Sequence, residues 1–232
     1  MARFAIFGAD TSRRIAEADS VAVIGLGRFG SSLALELMAG GTDVLGIDVD
    51  EDLVQALNGR LTQVVRADST KEEALRQLAV DEFDRVVVAI GDDISASILT
   101  CSVLLSLNIP IIWAKVGDDR HGLILEQLGV HHVIYPEKDM GRKVAHLVRG
   151  AALDYIEVDQ GYALVKIAAP TVLLGQRLGD TGLRKTHGVT IAAFKRDDQA
   201  WQNADADTVL HAGDTVLVVG PTPRAESFAQ LR

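Results

Sequence analysis

The chain has 232 residues, of which 48% are hydrophobic and 24% charged, and a formal net charge of −9. That length buries a full core and is read here as two domains, while the negative charge repels polyphosphate backbones and anionic lipid surfaces, which argues against generic nucleic-acid or membrane-surface binding. Cys101 is the only cysteine, so an intramolecular disulfide and a cysteine-cage metal site are both excluded, and a reducing cytoplasm suits the chain. The opening apolar run is too short for a secretory signal, and nowhere do about 18 uninterrupted apolar residues occur.

Residues 1–19 mix Phe4, Ile6 and Phe7 with the pair Arg13 and Arg14 and read as an N-terminal extension. From Ser20 onward, short β-branched runs alternate with helical patterns, which predicts strands near 21–25, 43–48, 63–67, 85–90, 110–116 and 131–135. Six strands separated by helices specify a Rossmann-like, doubly wound parallel sheet. Helix starts are predicted at Asp50 for 51–58, at Ser69 or Thr70 for 71–78 and at Asp118 for 119–128, since each side chain can cap free N–H groups. The segment 94–107 is apolar around most of its helical wheel, and such a helix has to be buried on its outer side as well as its sheet side. It is read as a subunit interface, against the alternatives that the C-terminal domain covers it or that its small Ser and Thr residues leave it tolerably polar. Residues 137–149 form a further helix, with Met140, Val144, Leu147 and Val148 on one stripe, that links the domains and ends at Gly150. The first domain is thus 20–150 and the second 151–232. In the second the rhythm becomes hairpin-like, with strands at 155–159, 163–168, 189–195 and 214–219 and a short helix at 178–186, which fits a small α+β module.

The most informative run is VAVIGLGRFG at residues 21–30. A strand that ends in Gly-x-Gly-x-x-Gly and opens into a helix lets backbone N–H groups and the positive helix end approach a pyrophosphate. Here the glycines are Gly25, Gly27 and Gly30, and Asp48, 23 residues after Gly25, is the acid that accepts from ribose hydroxyls. Ligands of parallel sheets sit at the carboxyl ends of strands, which adds Asp68 and Ser69 after strand three, Gly91 and Asp92 after strand four, Lys115 closing strand five and Glu137 after strand six. Asp68 either accepts from an adenine or ribose donor or serves as an ordinary loop cap, and Gly91 with Asp92 and Asp93 either meets the ligand or simply starts a helix. Arg28 at a helix start opposes the helix dipole unless an anion lies beside it, so it suits extra phosphate charge as in ATP while tolerating ADP or NAD; the alternative is an arginine turned into water. Glu137 is either a comfortable first-turn acid or a cation ligand that needs phosphate oxygens or a second subunit to complete its shell. His131 and His132 point to opposite faces of a strand, which disfavours a shared metal, and Cys101 reads as core packing.

The motif at 23–30 together with NIPIIWAK at 108–115 and YPEKDMG at 135–141 resembles the cytoplasmic regulatory subunits of Ktr and Trk potassium-uptake systems. The resemblance covers residues 20 to about 150 as an RCK N-terminal domain and about 154 to 221 as an RCK C-terminal domain. It implies dimers that assemble into a homo-octameric ring beneath a separate membrane potassium-translocating subunit, at the inner face of the plasma membrane. It implies that ATP, ADP or NAD(H) in the Rossmann cleft opens or closes the pore. By position, Gly25, Gly27, Phe29 and Gly30 belong to the phosphate-binding turn, Arg28 meets the terminal phosphates of ATP and Asp48 takes the ribose. Glu137 contributes to a Mg²⁺ or Na⁺ site. In several members cyclic di-AMP binds between two C-terminal domains, and Leu183, Arg184 and His187 fall where that loop would lie, although the residues 185–187 depart from the family's sequences there. A nucleotide sensor without catalytic activity is therefore the expected function. The alternative is an NAD-dependent dehydrogenase, for which only His187 and His211 after residue 150 offer a base.

Overall fold

The computed structural model describes residues 20–150 and 152–231; the extension predicted at 1–19 lies outside the described residues. The chain divides into two compact units, Met1–Pro136 and Glu137–Arg232.

The first unit is built on six parallel strands, β1 (Ser20–Ile24), β2 (Asp43–Asp48), β3 (Gln63–Arg66), β4 (Arg85–Val88), β5 (Ile111–Lys115) and β6 (His132–Ile134), in the order β3-β2-β1-β4-β5-β6. The reversal of direction at β1 and β4 is the doubly wound topology expected from the alternation of strands and helices. Between them run α1 (Arg28–Ala39), α2 (Glu51–Leu57), α3 (Glu72–Gln77), α4 (Ile94–Ser106) and α5 (Asp119–Leu128). Successive strand residues point to opposite faces. Ala22, Ile24, Val86, Val88, Ile112 and Ala114 accordingly join Cys101, Leu104 and Leu125 in one core, while Val21, Val23 and Val87 join Ala34 and Leu57 in the other. Burial pushes the Cys101 thiol up to about 12, as befits a packing residue. Coverage runs out at the β5–β6 end of the sheet. Ile111 and Trp113 are 37% and 38% exposed, and Trp113 stacks on His132 with ring centroids 4.0 Å apart.

Asp50, Asp93 and Asp118 cap α2, α4 and α5 by accepting from the N–H groups of Asp52, Ala96 and His121. The expected cap at Ser69 or Thr70 is not made. The residue before α3 is Lys71, without a side-chain cap, because Thr70 Oγ1 donates to Asp68 Oδ1 and the Ser69 hydroxyl is bonded to Thr100.

The second unit begins with α6 (Pro136–Arg149), followed by an antiparallel sheet of β7 (Asp154–Asp159), β8 (Tyr162–Ala168), β9 (Thr190–Lys195), β10 (Gln202–Asn203) and β11 (Thr215–Pro221) in the order β10-β9-β11-β8-β7. The linker helix thus groups with the second unit, not with the first as the sequence reading placed it. Three polar contacts fasten it there: Arg142 to Glu157 at 3.2 Å, Lys143 to Asp154 at 2.8 Å, and His146 to Glu226. The predicted helix at 178–186 is two pieces, a 3-10 turn at Leu178–Asp180 and α7 at Leu183–Thr186, since Gly182 between them has φ +62° and interrupts the right-handed turn. Two elements were absent from the sequence reading. One is the two-residue β10, and the other is α8 (Thr222–Ala229), which closes the core with Ala225, Phe228 and Ala229.

Two buried ionisable groups set the stability of these units. Asp214 is 1% exposed and accepts from Arg196 Nε and Nη2 at 2.9 and 2.8 Å and from the His211 N–H; the guanidinium holds its carboxyl below the usual carboxylate value. Its contribution is present above pH ~4 and is lost as pH falls through the depressed folded value. Replacing Arg196 by Leu strands a buried carboxylate, and chemical denaturation should show a loss of roughly 3 kcal/mol. His121, 2% exposed, has no hydrogen-bond partner on either ring nitrogen among the described residues, and burial pushes its imidazole below the ordinary histidine value. The unfolded chain then takes up the proton first, so stability should fall as pH drops below ~6.5 and level off below the folded value. The His121→Phe variant should flatten that slope in denaturation curves measured between pH 7.5 and 5.

Candidate nucleotide-binding site

Where β1 ends, Gly25 turns the chain with φ +92° and donates its N–H to Ile47 O at 2.8 Å. A Cβ at Gly25 would lie 2.8 Å from the carbonyl carbon of Ala89, so a side chain is excluded there both by conformation and by space. Gly30, in the first turn of α1, faces the same turn: its Cβ would fall 1.8 Å from Gly25 O. This contact is why the helix can start so close to the strand. Gly27 is different. It is exposed, precedes α1 as its N-cap, and a Cβ added to it would meet nothing within 4 Å. The protein itself does not demand a glycine there, whereas close approach of a pyrophosphate to the helix N-terminus does.

Asp48, at the end of β2, locks this turn from the side. Its Oδ2 accepts from the Leu26 N–H at 2.6 Å and its Oδ1 from the Asp50 N–H at 2.9 Å. A carboxylate oxygen has a second lone pair, so Asp48 can hold the glycine turn and still accept from a ribose hydroxyl.

A cleft of about 300 Å³ opens over the carboxyl ends of the strands, within the range of small-molecule sites. Of the predicted residues, Gly25, Gly27, Asp48, Asp68, Ser69, Gly91 and Asp92 line it. Arg28, Phe29, Gly30 and Lys115 are not among its lining residues. Arg28 is exposed as the first residue of α1, and Gly30 packs beneath the turn. Lys115 lies at the rim, its Nζ 3.1 Å from where a Cβ of Gly91 would stand and 5.8 Å from the centre of the Phe29 ring. Sequence reasoning took Asp50 and Thr70 only as helix caps, weighed Asp93 with Gly91 and Asp92, and passed over Ala96; all four also line the cleft. Asp50, Thr70 and Asp93 lie within a few residues of a strand end already singled out, whereas Ala96 is in the first turn of α4. Asp68 accepts from both the N–H and the hydroxyl of Thr70, at 3.0 and 2.6 Å, which holds its carboxyl below the usual carboxylate value. Five carboxylates, at residues 48, 50, 68, 92 and 93, therefore line the cleft and disfavour a ligand carrying a 2′-phosphate there.

Glu137 stands in the first turn of α6, in the second unit. Among the described residues no group of three or more His, Cys, Asp or Glu side chains is placed to hold a metal ion. His131 and His132 are separated in role as well as direction, since His131 Nδ1 accepts from the Ile112 N–H while His132 stacks on Trp113.

A second cleft, of about 470 Å³, lies within the C-terminal unit between α7, β9 and residues 204–206. Leu183, Arg184 and Lys185 line it, and Arg184 Nε donates to Thr190 Oγ1 at 3.1 Å. His187, predicted with them, does not line it. Its ring is edge-on to Phe228 at 5.3 Å.

The TrkA-N domain family matches residues 21–136 and the TrkA-C domain family residues 162–231. The chain is 39% identical over 208 residues to Ktr system potassium uptake protein C of Bacillus subtilis, covering 89% of this chain and 94% of that protein. It is 36% identical over 201 residues to Ktr system potassium uptake protein A of Vibrio alginolyticus, covering 86% and 91%. Among solved structures, the GsuK RCK domain superposes with a TM-score of 0.64 at 18% identity over 91% of this chain and 47% of that one. The GsuK channel bound to NAD gives 0.62 at 17% identity, over 92% and 39%. The glycine turn, the six-stranded parallel sheet and the separate antiparallel unit are thus those of an established lineage, and the chain belongs to the TrkA family, with a TrkA-N domain followed by a TrkA-C domain.

Proposed function

We propose that this chain is a nucleotide-sensing regulatory subunit of a potassium-uptake system, in which occupancy of the N-terminal cleft sets the shape of an assembly that gates a membrane pore partner. The observation that carries the reading is the Gly25–Gly30 turn held by the Asp48 carboxylate, with Gly27 left open towards the cleft. The Ktr relatives supply the physiological context and the NAD-bound GsuK channel the ligand class. ATP, ADP and NAD(H) all carry the diphosphate and free 2′-hydroxyl that this site suits; Arg28 favours the additional phosphate of ATP. A Mg²⁺ or Na⁺ ion at Glu137 requires phosphate oxygens or a second copy, because the described residues offer no such cluster alone.

A working assembly needs contact surfaces, and the chain has them. Leu99 on α4 and Leu123 on α5 are 54% and 53% exposed, Trp113 and Ile111 are left uncovered, and α6 shows Met140, Val144 and Val148. No helix among the described residues is long and apolar enough to cross a membrane, so in this reading the pore is a separate protein and the subunit works in the cytoplasm beneath it as a homodimer-based ring of eight. Cyclic di-AMP is the second ligand proposed, in the C-terminal cleft, where Arg184 and Lys185 stand beside apolar walls. A dehydrogenase is the poorer account. His187 and His211 line neither cleft, His187 being packed on Phe228.

Calorimetry and native mass determination with ATP, ADP, NADH and cyclic di-AMP test the proposal directly: nucleotide binding without turnover and a ligand-dependent assembly are expected, and an indifferent single protomer is the opposing result. The Arg28→Ala variant should narrow the ATP-over-ADP preference by about tenfold, the scale of one charge-assisted hydrogen bond. The Gly30→Ala variant, whose methyl would collide with Gly25 O, should abolish nucleotide binding and lower the melting temperature.

A further inference from the structure

Resting on the nucleotide reading, a separate question is how an occupied cleft reaches the outer surface of the first unit. Ser69 and Thr100 are 4% and 0% exposed, and their hydroxyl oxygens are 2.8 Å apart. Ser69 lines the cleft; Thr100 is midway along α4 and 31 residues distant in sequence. A buried hydroxyl pair contributes little net stability compared with apolar groups of the same shape, but its direction and length are fixed, and breaking it strands a polar group in the core. It therefore positions more than it stabilises.

The pair ends a path made of hydrogen bonds and short stretches of backbone. The Leu26 N–H of the glycine turn donates to the Asp48 carboxylate, the Asp48 carbonyl accepts from the Ala67 N–H at 2.9 Å, and two residues on Ser69 meets Thr100. Asp68, between them, is fixed by Thr70, so the segment from Ala67 to Thr70 has little slack. The start of α4 belongs to the same cleft, since Asp93, which caps the helix through the Ala96 N–H, lines it. The helix is thus held to the cleft at its first turn and again at its middle. Its other side presents Leu99, the residue beside Thr100, to solvent.

We infer that the Ser69–Thr100 hydroxyl pair is the joint through which occupancy of the cleft is transmitted to the exposed face of α4 and so to contacts with a second copy of the chain. Ser69 and Thr100 are positioning residues; Thr100 does not touch the ligand. A coupling of this kind requires that the two nucleotides favour different placements of one element, and α4 is that element.

The test uses the full chain and three variants: Thr100→Val, which keeps volume and removes the hydroxyl, Ser69→Ala, and Thr100→Ser as the conservative control. Calorimetry gives the ATP and ADP affinities, and sedimentation gives the assembly equilibrium with each nucleotide. For Thr100→Val, ATP affinity should stay within about twofold of the parent, while the difference in assembly constant between ATP and ADP shrinks at least fivefold. Thr100→Ser should restore it. Amide exchange of residues 97–104 in the parent chain, with ATP against ADP, tests the same point without any substitution and should differ between the two nucleotides. A Thr100→Val protein whose assembly responds as the parent does, or α4 amides indifferent to the nucleotide, would overturn the inference while leaving nucleotide binding intact. Failure of the parent chain to bind either nucleotide would instead remove the functional reading itself, and the inference with it.

Discussion

The Asp48 carboxylate holds together what the rest of the first unit depends on. One oxygen takes the Leu26 N–H and the other the Asp50 N–H, so a single side chain at the end of β2 ties the glycine turn to the start of α2. Without it the turn between β1 and α1 would rest on the Gly25 bond to Ile47, the close contact of Gly30 on Gly25, the Ser31 bonds to the Gly27 carbonyl and the burial of Leu26. The acid that sequence motifs assign to ribose recognition is therefore also an architectural part of the glycine turn. In the proposed function binding and stability would be joined at this residue, because any ligand hydroxyl has to use lone pairs that the backbone bonds leave over.

The same economy explains the glycines. Gly25 and Gly30 are required by the protein, one by its positive φ and one by a carbonyl that leaves no room for a methyl group. Gly27 has neither constraint, which makes it the position where a glycine reports on something other than the fold. A sequence motif treats the three as equivalent. Their surroundings show two packing devices and one opening.

Much of this was legible in the sequence because it rests on local patterns. β-branched runs apolar on both faces marked the six parallel strands within about two residues, and Asp50 and Asp118 announced their helices. What was missed depends on partners distant in the chain. Ser69 was a plausible cap for α3 until Thr100 claimed its hydroxyl, and no local rule anticipates a partner 31 residues away. The linker helix joined the second unit through Glu157, Asp154 and Glu226, contacts that span up to 80 residues. The stretch that forms α8 was given no element in the sequence reading, although Pro223 is at home in a first helical turn. His187 was assigned to the second ligand loop by the family resemblance alone, whereas its ring packs edge-on to Phe228. In the nucleotide site, strand-end positions were foreseen, but which of them face the cleft is a matter of side-chain direction.

Energy scale finally bears on why a regulator of this design should be multimeric. Moving a two-state gate from 1:99 to 99:1 takes a ligand that binds one state about 5.5 kcal/mol more tightly than the other. One phosphate contacted by one exposed arginine supplies only a fraction of that, since exposed charges interact weakly. In the proposed assembly, eight copies moving together would reduce the demand to about 0.7 kcal/mol per site, the scale of a single exposed charge contact. On that proposal, the apolar surfaces left uncovered on α4, α5, α6 and the β5–β6 end of the sheet are where the position of one copy's helices would be felt by its neighbours.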